Sequence, residues 1–247
     1  MNRVIEGAGV PLSVQDAGPF GTPAVLVVHG MAADAQTWAP AAATLVAHGL
    51  RVISYDRRGY GASGAPEPYT GTTVAEQTAD ALAVLDGHRV PAATVAGDGF
   101  GALVALDLAL RFPERVSALV CADPPLLLLV ADAARALAQE RAQLEEALRS
   151  GGSAAAVAVW LDGRVDDGAL LRAQASARGF FADYAGLASL AVTRRELRAV
   201  RAPAVVVTGP STPPDVDAAA DALAQLVPQA RRERTGGLVG AVRMVTG

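Results

Sequence analysis

The segment TVAGDGFGALVALDLALRFPERV, residues 94–116, constrains the fold more than any other stretch. An apolar run of strand length passes through glycines at 97, 99 and 101 straight into a segment of helical period. A buried strand that turns at once into a helix is the start of a parallel βαβ unit. In many enzymes a turn of this shape carries a nucleophile between two small residues. Here the residue between Asp98 and Phe100 is Gly99, which has no side chain.

The same alternation runs along the chain. RVIEG and PLSVQDAG read as an opening hairpin about Gly7–Gly9. AVLVVHG (24–30), RVISYD (51–56), AATVAG (92–97), VSALVCAD (116–123) and AVVVTG (204–209) read as strands, and RRERTGG as an exposed edge strand. WAPAAATLVAHG and residues 73–88 read as helices between them. Parallel βαβ units bind ligands at the carboxyl ends of their strands. Residues 124–200 break the rhythm, reading as helical throughout, which suits an insertion forming a lid over those strand ends. The expected organisation is a core of residues 1–123 and 201–247 with a helical cap at 124–200.

Composition removes several function classes. The net charge of −4 argues against a nucleic-acid partner. All 21 basic residues are arginine, so lysine Schiff-base and lysine general-base chemistry are absent. With abundant Ala and Gly, this suggests a high-GC bacterial source. The single cysteine, Cys121, sits in an apolar run and reads as a buried inert thiol. One Cys and three scattered His give no metal-ligand spacing, so neither a metal nor a cofactor is expected. The N-terminus lacks the apolar region of a signal peptide, and LLLLVA (126–131) is too short to span a bilayer. The expectation is a cytoplasmic protein with no membrane partner.

Four motifs in order, VVHGMAADAQTW (27–38), YDRRGYGASG (55–64), GDGFG (97–101) and LALRFPERVSALVCADPP (108–125), resemble the α/β-hydrolase superfamily. The resemblance covers essentially the whole chain outside the lid. It implies an α/β-hydrolase fold: a mostly parallel central sheet of about eight strands, a helical cap, and a pocket between them. In that family the turn reads G-x-Ser-x-G. Gly97 and Gly101 match its small positions and leave Gly99 in the nucleophile slot. A frame shifted by one would make Asp98 the nucleophile, with Ala96 and Phe100 at the small positions. Thr212 stands where the family acid is expected, with Asp215 and Asp217 read as caps of the next helix. Leu238 stands where the family histidine is expected, and the sequence stops nine residues later, where family members usually add a final helix. His29 reads as a brace for the oxyanion loop. The chain thus looks like a divergent member lacking the Ser-His-Asp triad.

The resemblance also implies an oxyanion hole from the backbone amides of Met31 and Phe100. Asp98 and Asp123 are the carboxylates expected to act as general acid or base, unless Asp98 caps the helix and Asp123 holds the turn before Pro124. Gly30, Asp34, Gly99, Trp160, Phe180, Phe181 and Tyr184 are expected to line the substrate, the four cap aromatics having core packing as their alternative. These residues lead to the expectation of a cofactor-independent, non-hydrolytic enzyme acting on a hydrophobic small molecule. Its step would be C–C bond formation, cyclisation or epoxide opening, of the kind found in bacterial polyketide or enediyne pathways. The alternatives are an inactive small-molecule carrier or receptor, a structural protein with a filled pocket, and a residual hydrolase with an unusual base. Homodimerisation stays open.

Overall fold

The computed structural model describes residues 2–131, 133–234 and 237–246. The apolar runs form eight strands: β1 (Asn2–Glu6), β2 (Pro11–Ala17), β3 (Ala24–Val28), β4 (Arg51–Tyr55), β5 (Ala93–Asp98), β6 (Val116–Ala122), β7 (Ala204–Val207) and β8 (Ala230–Glu233). They lie in the order β1-β2-β4-β3-β5-β6-β7-β8. The β1/β2 and β2/β4 pairs are antiparallel and every other pair is parallel. β8 occupies an edge, as its polar sequence suggests.

The central strands are apolar on both sides because helices cover both faces. In β3, Leu26 and Val28 belong to one core, while Val25 and Val27 belong to the other. β6 divides in the same period of two, Leu119 and Cys121 against Val120 and Ala122. Helices α2 (Val74–Gly87), α3 (Phe100–Arg111) and α8 (Pro214–Leu226) bury the first face. α1 (Ala39–Ala47) and α9 (Gly237–Thr246) bury the second. The C-terminal residues thus do supply a final helix. Leu238, Ala241 and Val242 of α9 pack with Val120, Val205 and Val207, which is burial enough to hold so short a helix in place.

Between β6 and β7 the chain is helical: α4 (Ala133–Leu161), α5 (Asp167–Ala175), α6 (Ala177–Gly186) and α7 (Arg194–Leu197). α4 bends at Gly152, whose φ of 77° and ψ of −175° interrupt the helix. Arg172 pairs with Asp34, Arg178 with Glu67 and Arg57 with Asp183, so three ion pairs tie this region to the sheet and its loops. Among the described residues no helix is long and apolar enough to cross a membrane.

The crossing of α3 over β5 is a contact of backbone on backbone. A Cβ on Gly97 would lie 2.0 Å from the Gly101 carbonyl oxygen, and one on Gly101 would lie 2.1 Å from that of Val28. Neither neighbour is a side chain that could swing away. Gly99 differs: apart from its chain neighbours, a Cβ there would have only Gly30 Cα within 4 Å, at 3.8 Å. Its cost is the φ of +51° alone. Alanine at Gly97 or Gly101 should therefore cost about 3 kcal/mol or more, and alanine at Gly99 only about 1–2 kcal/mol. Urea denaturation of the three variants checks this ranking.

Candidate functional site

The tip of the β5–α3 turn is Gly99. Asp98 is the last residue of β5, Gly99 is the N-cap of α3 with φ 51° and ψ −118°, and Phe100 is the first helical residue. The close contacts of Gly97 and Gly101 flank position 99 symmetrically, which excludes the shifted frame with Asp98 at the tip. Asp98 does not cap α3 either, since Gly99 holds the cap position.

Asp98 lies against the segment after β3. A Cβ on Gly30 would sit 3.1 Å from Asp98 Oδ2 and 3.1 Å from its carbonyl oxygen, so glycine at 30 allows the approach. The β5/β6 register pairs Asp98 with Ala122, which puts Asp123 at the adjacent strand end. Burial first, and then the charge of Asp123, push the Asp98 carboxyl up to about 7; Arg57 and the Gly99 amide pull it down.

Asp123 has its own fixed geometry. It adopts a left-handed φ of 44°, its N–H donates to the Val207 carbonyl at 2.9 Å, and its Oδ1 accepts from Thr212 Oγ1 at 2.5 Å. Thr212 Oγ1 in turn accepts the Gly209 N–H at 2.8 Å. Thr212 therefore anchors the loop after β7 to Asp123. Asp215 and Asp217 lie in the first turn of α8 but do not cap it, since Pro213 holds the cap position. Asp217 instead accepts from Thr208 Oγ1 and pairs with Arg232.

The Met31 and Phe100 amides take no part in the turn, loop or cap hydrogen bonds of the described residues. Phe100 N–H, at the first position of α3, is one of the donors a helix start leaves unpaired. His29 braces the segment between them. Its Nε2 accepts the Arg57 N–H at 2.9 Å, so Nδ1 carries the proton and donates to the Gly30 carbonyl at 2.8 Å. Burial, and then the Arg57 charge, hold the imidazole well below its ordinary pKa. A neutral ring with both nitrogens engaged has no position for a shuttled proton.

Arg57, which sequence reading left aside, is the charge at the centre. Its Nε donates to the His29 carbonyl at 2.8 Å and its Nη2 to the Gly30 carbonyl at 2.9 Å. The remaining donors reach Gln77 and Asp183. Arg57 lay in the quoted YDRRGYG motif; Asp183, an acid inside the apolar GFFADY, was the available signal for its partner.

The other residues expected to line the substrate have protein partners. Asp34 Oδ1 caps the 3-10 turn Ala35–Trp38 through Thr37 N–H, and its Oδ2 accepts from Arg172 Nε at 2.7 Å. Trp160 and Phe181 both pack edge-on to Phe180, with ring centroids 5.3 and 5.2 Å away, and Tyr184 stacks on it at 6.1 Å. Phe180 is fully buried at the centre of this cluster. Phe181 and Tyr184 do line a cavity of about 480 Å³ with Leu144 and Leu148, but no elbow residue lines it. Among the described residues no group of three or more His, Cys, Asp or Glu is arranged to hold a metal.

A family model described as alpha/beta hydrolase fold matches residues 23–151. Epoxide hydrolase A of Mycobacterium tuberculosis is 33% identical over 125 residues, which are 51% of this chain and 39% of that protein. The 3-oxoadipate enol-lactonase 2 of Acinetobacter baylyi is 33% identical over 172 residues, covering 66% of this chain and 61% of the relative. The chain thus spans less than two thirds of these relatives' length. The crystal structure of an alpha/beta hydrolase from Sphaerobacter thermophilus superposes with a TM-score of 0.77 at 23% identity, covering 98% of each chain. These relatives overturn the expectation of a non-hydrolytic enzyme of polyketide or enediyne type, or of a scaffold that has become a mere carrier. The names they carry are those of hydrolases.

The Asp98 carboxyl makes stability depend on pH. Its folded pKa lies above the unfolded value, so the folded state holds an extra proton between about pH 4 and 7 and loses stability as pH rises through that window. Asp98→Asn should be more stable than the native chain by about 1–3 kcal/mol at pH 8 and nearly equal to it at pH 4. Urea melts at the two pH values check the sign.

Proposed function

The chain belongs to the α/β-hydrolase fold family, and from that membership we propose that it hydrolyses the carbonyl of a hydrophobic ester or lactone with water as the nucleophile. The observation that carries this reading is the Asp98 carboxyl, held near neutral pKa beside an elbow tip where an added Cβ would meet only Gly30 Cα, at 3.8 Å. We take the Ser-His-Asp route as closed here. Gly99 stands at the tip, Thr212 is engaged with Asp123, Leu238 is buried in α9, and His29 is neutral and fully hydrogen-bonded.

The steps balance without a covalent intermediate. Asp98 in its carboxylate form takes a proton from water while the water oxygen attacks the acyl carbon. The Met31 and Phe100 amides receive the charge that develops on the carbonyl oxygen, an interaction worth roughly 3–4 kcal/mol per donor in well-studied hydrolases. Collapse breaks the acyl–oxygen bond, and Asp98 returns the proton to the leaving alkoxide. Burial, and then the Asp123 charge, keep the Asp98 carboxyl basic enough for this near neutral pH. No cofactor enters these steps. In this reading residues 124–200 cap the strand ends, where the hydrophobic substrate is held.

Turnover of aryl esters and lactones should rise with pH through one ionisation near 7 and then level off. Asp98→Asn should lower kcat/KM by about 10²–10⁴-fold. A fluorophosphonate should leave the protein unlabelled, because no serine stands at the tip. Stoichiometric labelling, or a wild-type protein inert toward the whole ester and lactone panel, would refute the reading.

A further inference from the structure

We infer that Asp183 of α6 is a positioning residue for the oxyanion loop, acting through Arg57 from the helical insertion. The inference deepens the hydrolase reading, and its activity arm rests on that reading.

The geometry is a closed set of hydrogen bonds. A guanidinium has five N–H donors and no acceptor. In Arg57, Nε and one Nη2 hydrogen reach the carbonyls of His29 and Gly30, the two residues before Met31. The other Nη2 hydrogen reaches Asp183 Oδ2 at 2.5 Å. Nη1 reaches Asp183 Oδ1 at 3.0 Å and Gln77 Oε1 at 2.7 Å. Asp183 is equally filled, since Tyr60 OH donates to Oδ2 at 2.6 Å and Gln77 Nε2 to Oδ1 at 2.8 Å. Neither charged side chain exposes any surface.

Two further contacts extend the link. The Arg57 guanidinium carbon lies 4.8 Å from the Tyr60 ring centroid and 5.1 Å from that of Phe100, so the cation that holds the His29 and Gly30 carbonyls also lies against the ring of Phe100, which bears the second proposed oxyanion amide. α6 meets the loop after β4 at backbone distance: a Cβ on Gly179 would lie 2.6 Å from the Gly59 carbonyl oxygen. Two backbone carbonyls and an amide oxygen cannot neutralise a buried cation. Asp183 is its only carboxylate partner among the described residues, and without it Arg57 would be a buried uncompensated charge. The guanidinium would then turn toward water and release the His29 and Gly30 carbonyls. The loop carrying Met31 N–H is therefore held in shape only while α6 is seated.

The test compares Asp183→Asn with Arg178→Gln, which breaks the exposed Arg178–Glu67 pair on the same helix. Methyl-labelled methionine NMR reports Met31 directly, and kcat and KM are measured on an ester that the wild type turns over. Asp183→Asn should shift the Met31 methyl resonance and lower kcat about 10- to 100-fold while KM changes less than about threefold. Arg178→Gln should move neither. Should Asp183→Asn fail to fold, the double variant Arg57→Met/Asp183→Leu removes both buried charges, and its Met31 resonance should still be displaced. An unmoved Met31 signal in either folded variant, or a rise in KM at constant kcat, overturns the inference. A wild type with no esterase activity sinks the hydrolase reading by itself, and the Met31 signal still decides whether Asp183 positions the loop.

Discussion

A cation that folds into a protein's interior must find an acceptor for every N–H it carries. Arg57 meets that requirement by drawing together three parts of the chain far apart in sequence: the segment after β3, the helix α2 through Gln77, and the insertion through Asp183. The order of the proposed site follows from this. His29 is held neutral, and the Gly30 carbonyl is shared between His29 and Arg57. The Phe100 ring lies near the guanidinium as α3 leaves the elbow.

The second constraint is space. At Gly97 and Gly101 the backbone contacts leave no room for a methyl group, and that closeness lets α3 begin directly at the end of β5. Gly99 lies between them with room to spare. The same few residues thus combine the tightest packing in the turn with a tip where a Cβ would make only an ordinary contact, 3.8 Å from Gly30 Cα. A carboxylate at position 98 is then pressed against Gly30 and near Asp123, where desolvation and like charge keep its proton until about neutral pH.

Local pattern foretold more of the fold than of the site. The strands were legible because both faces of a parallel sheet are buried, so β3 and β7 read as unbroken apolar runs and β6 is interrupted only by Ser117. α9 was missed because GLVGAVRMVT has two glycines and weak intrinsic helicity; it is helical because Leu238, Ala241 and Val242 find a sheet face to cover. The cap aromatics were legible as a cluster but not in their orientation. Which side of α6 faces the interior depends on how it packs against α4, and Phe180 turns inward there.

What the sequence by itself determined is the alternation of strands and helices as far as β8, the glycine frame of the elbow and the absence of a side chain at its tip. These are properties of residues close along the chain, where sterics and hydrophobic period act locally. The tertiary structure decided which polar groups meet. Asp183 faces Arg57 across 126 residues, Thr212 reaches Asp123 across 89, and Arg172 occupies Asp34 across 138. No local period encodes such pairings, because they arise only when segments far apart in sequence pack together and each buried polar group must find its partner there.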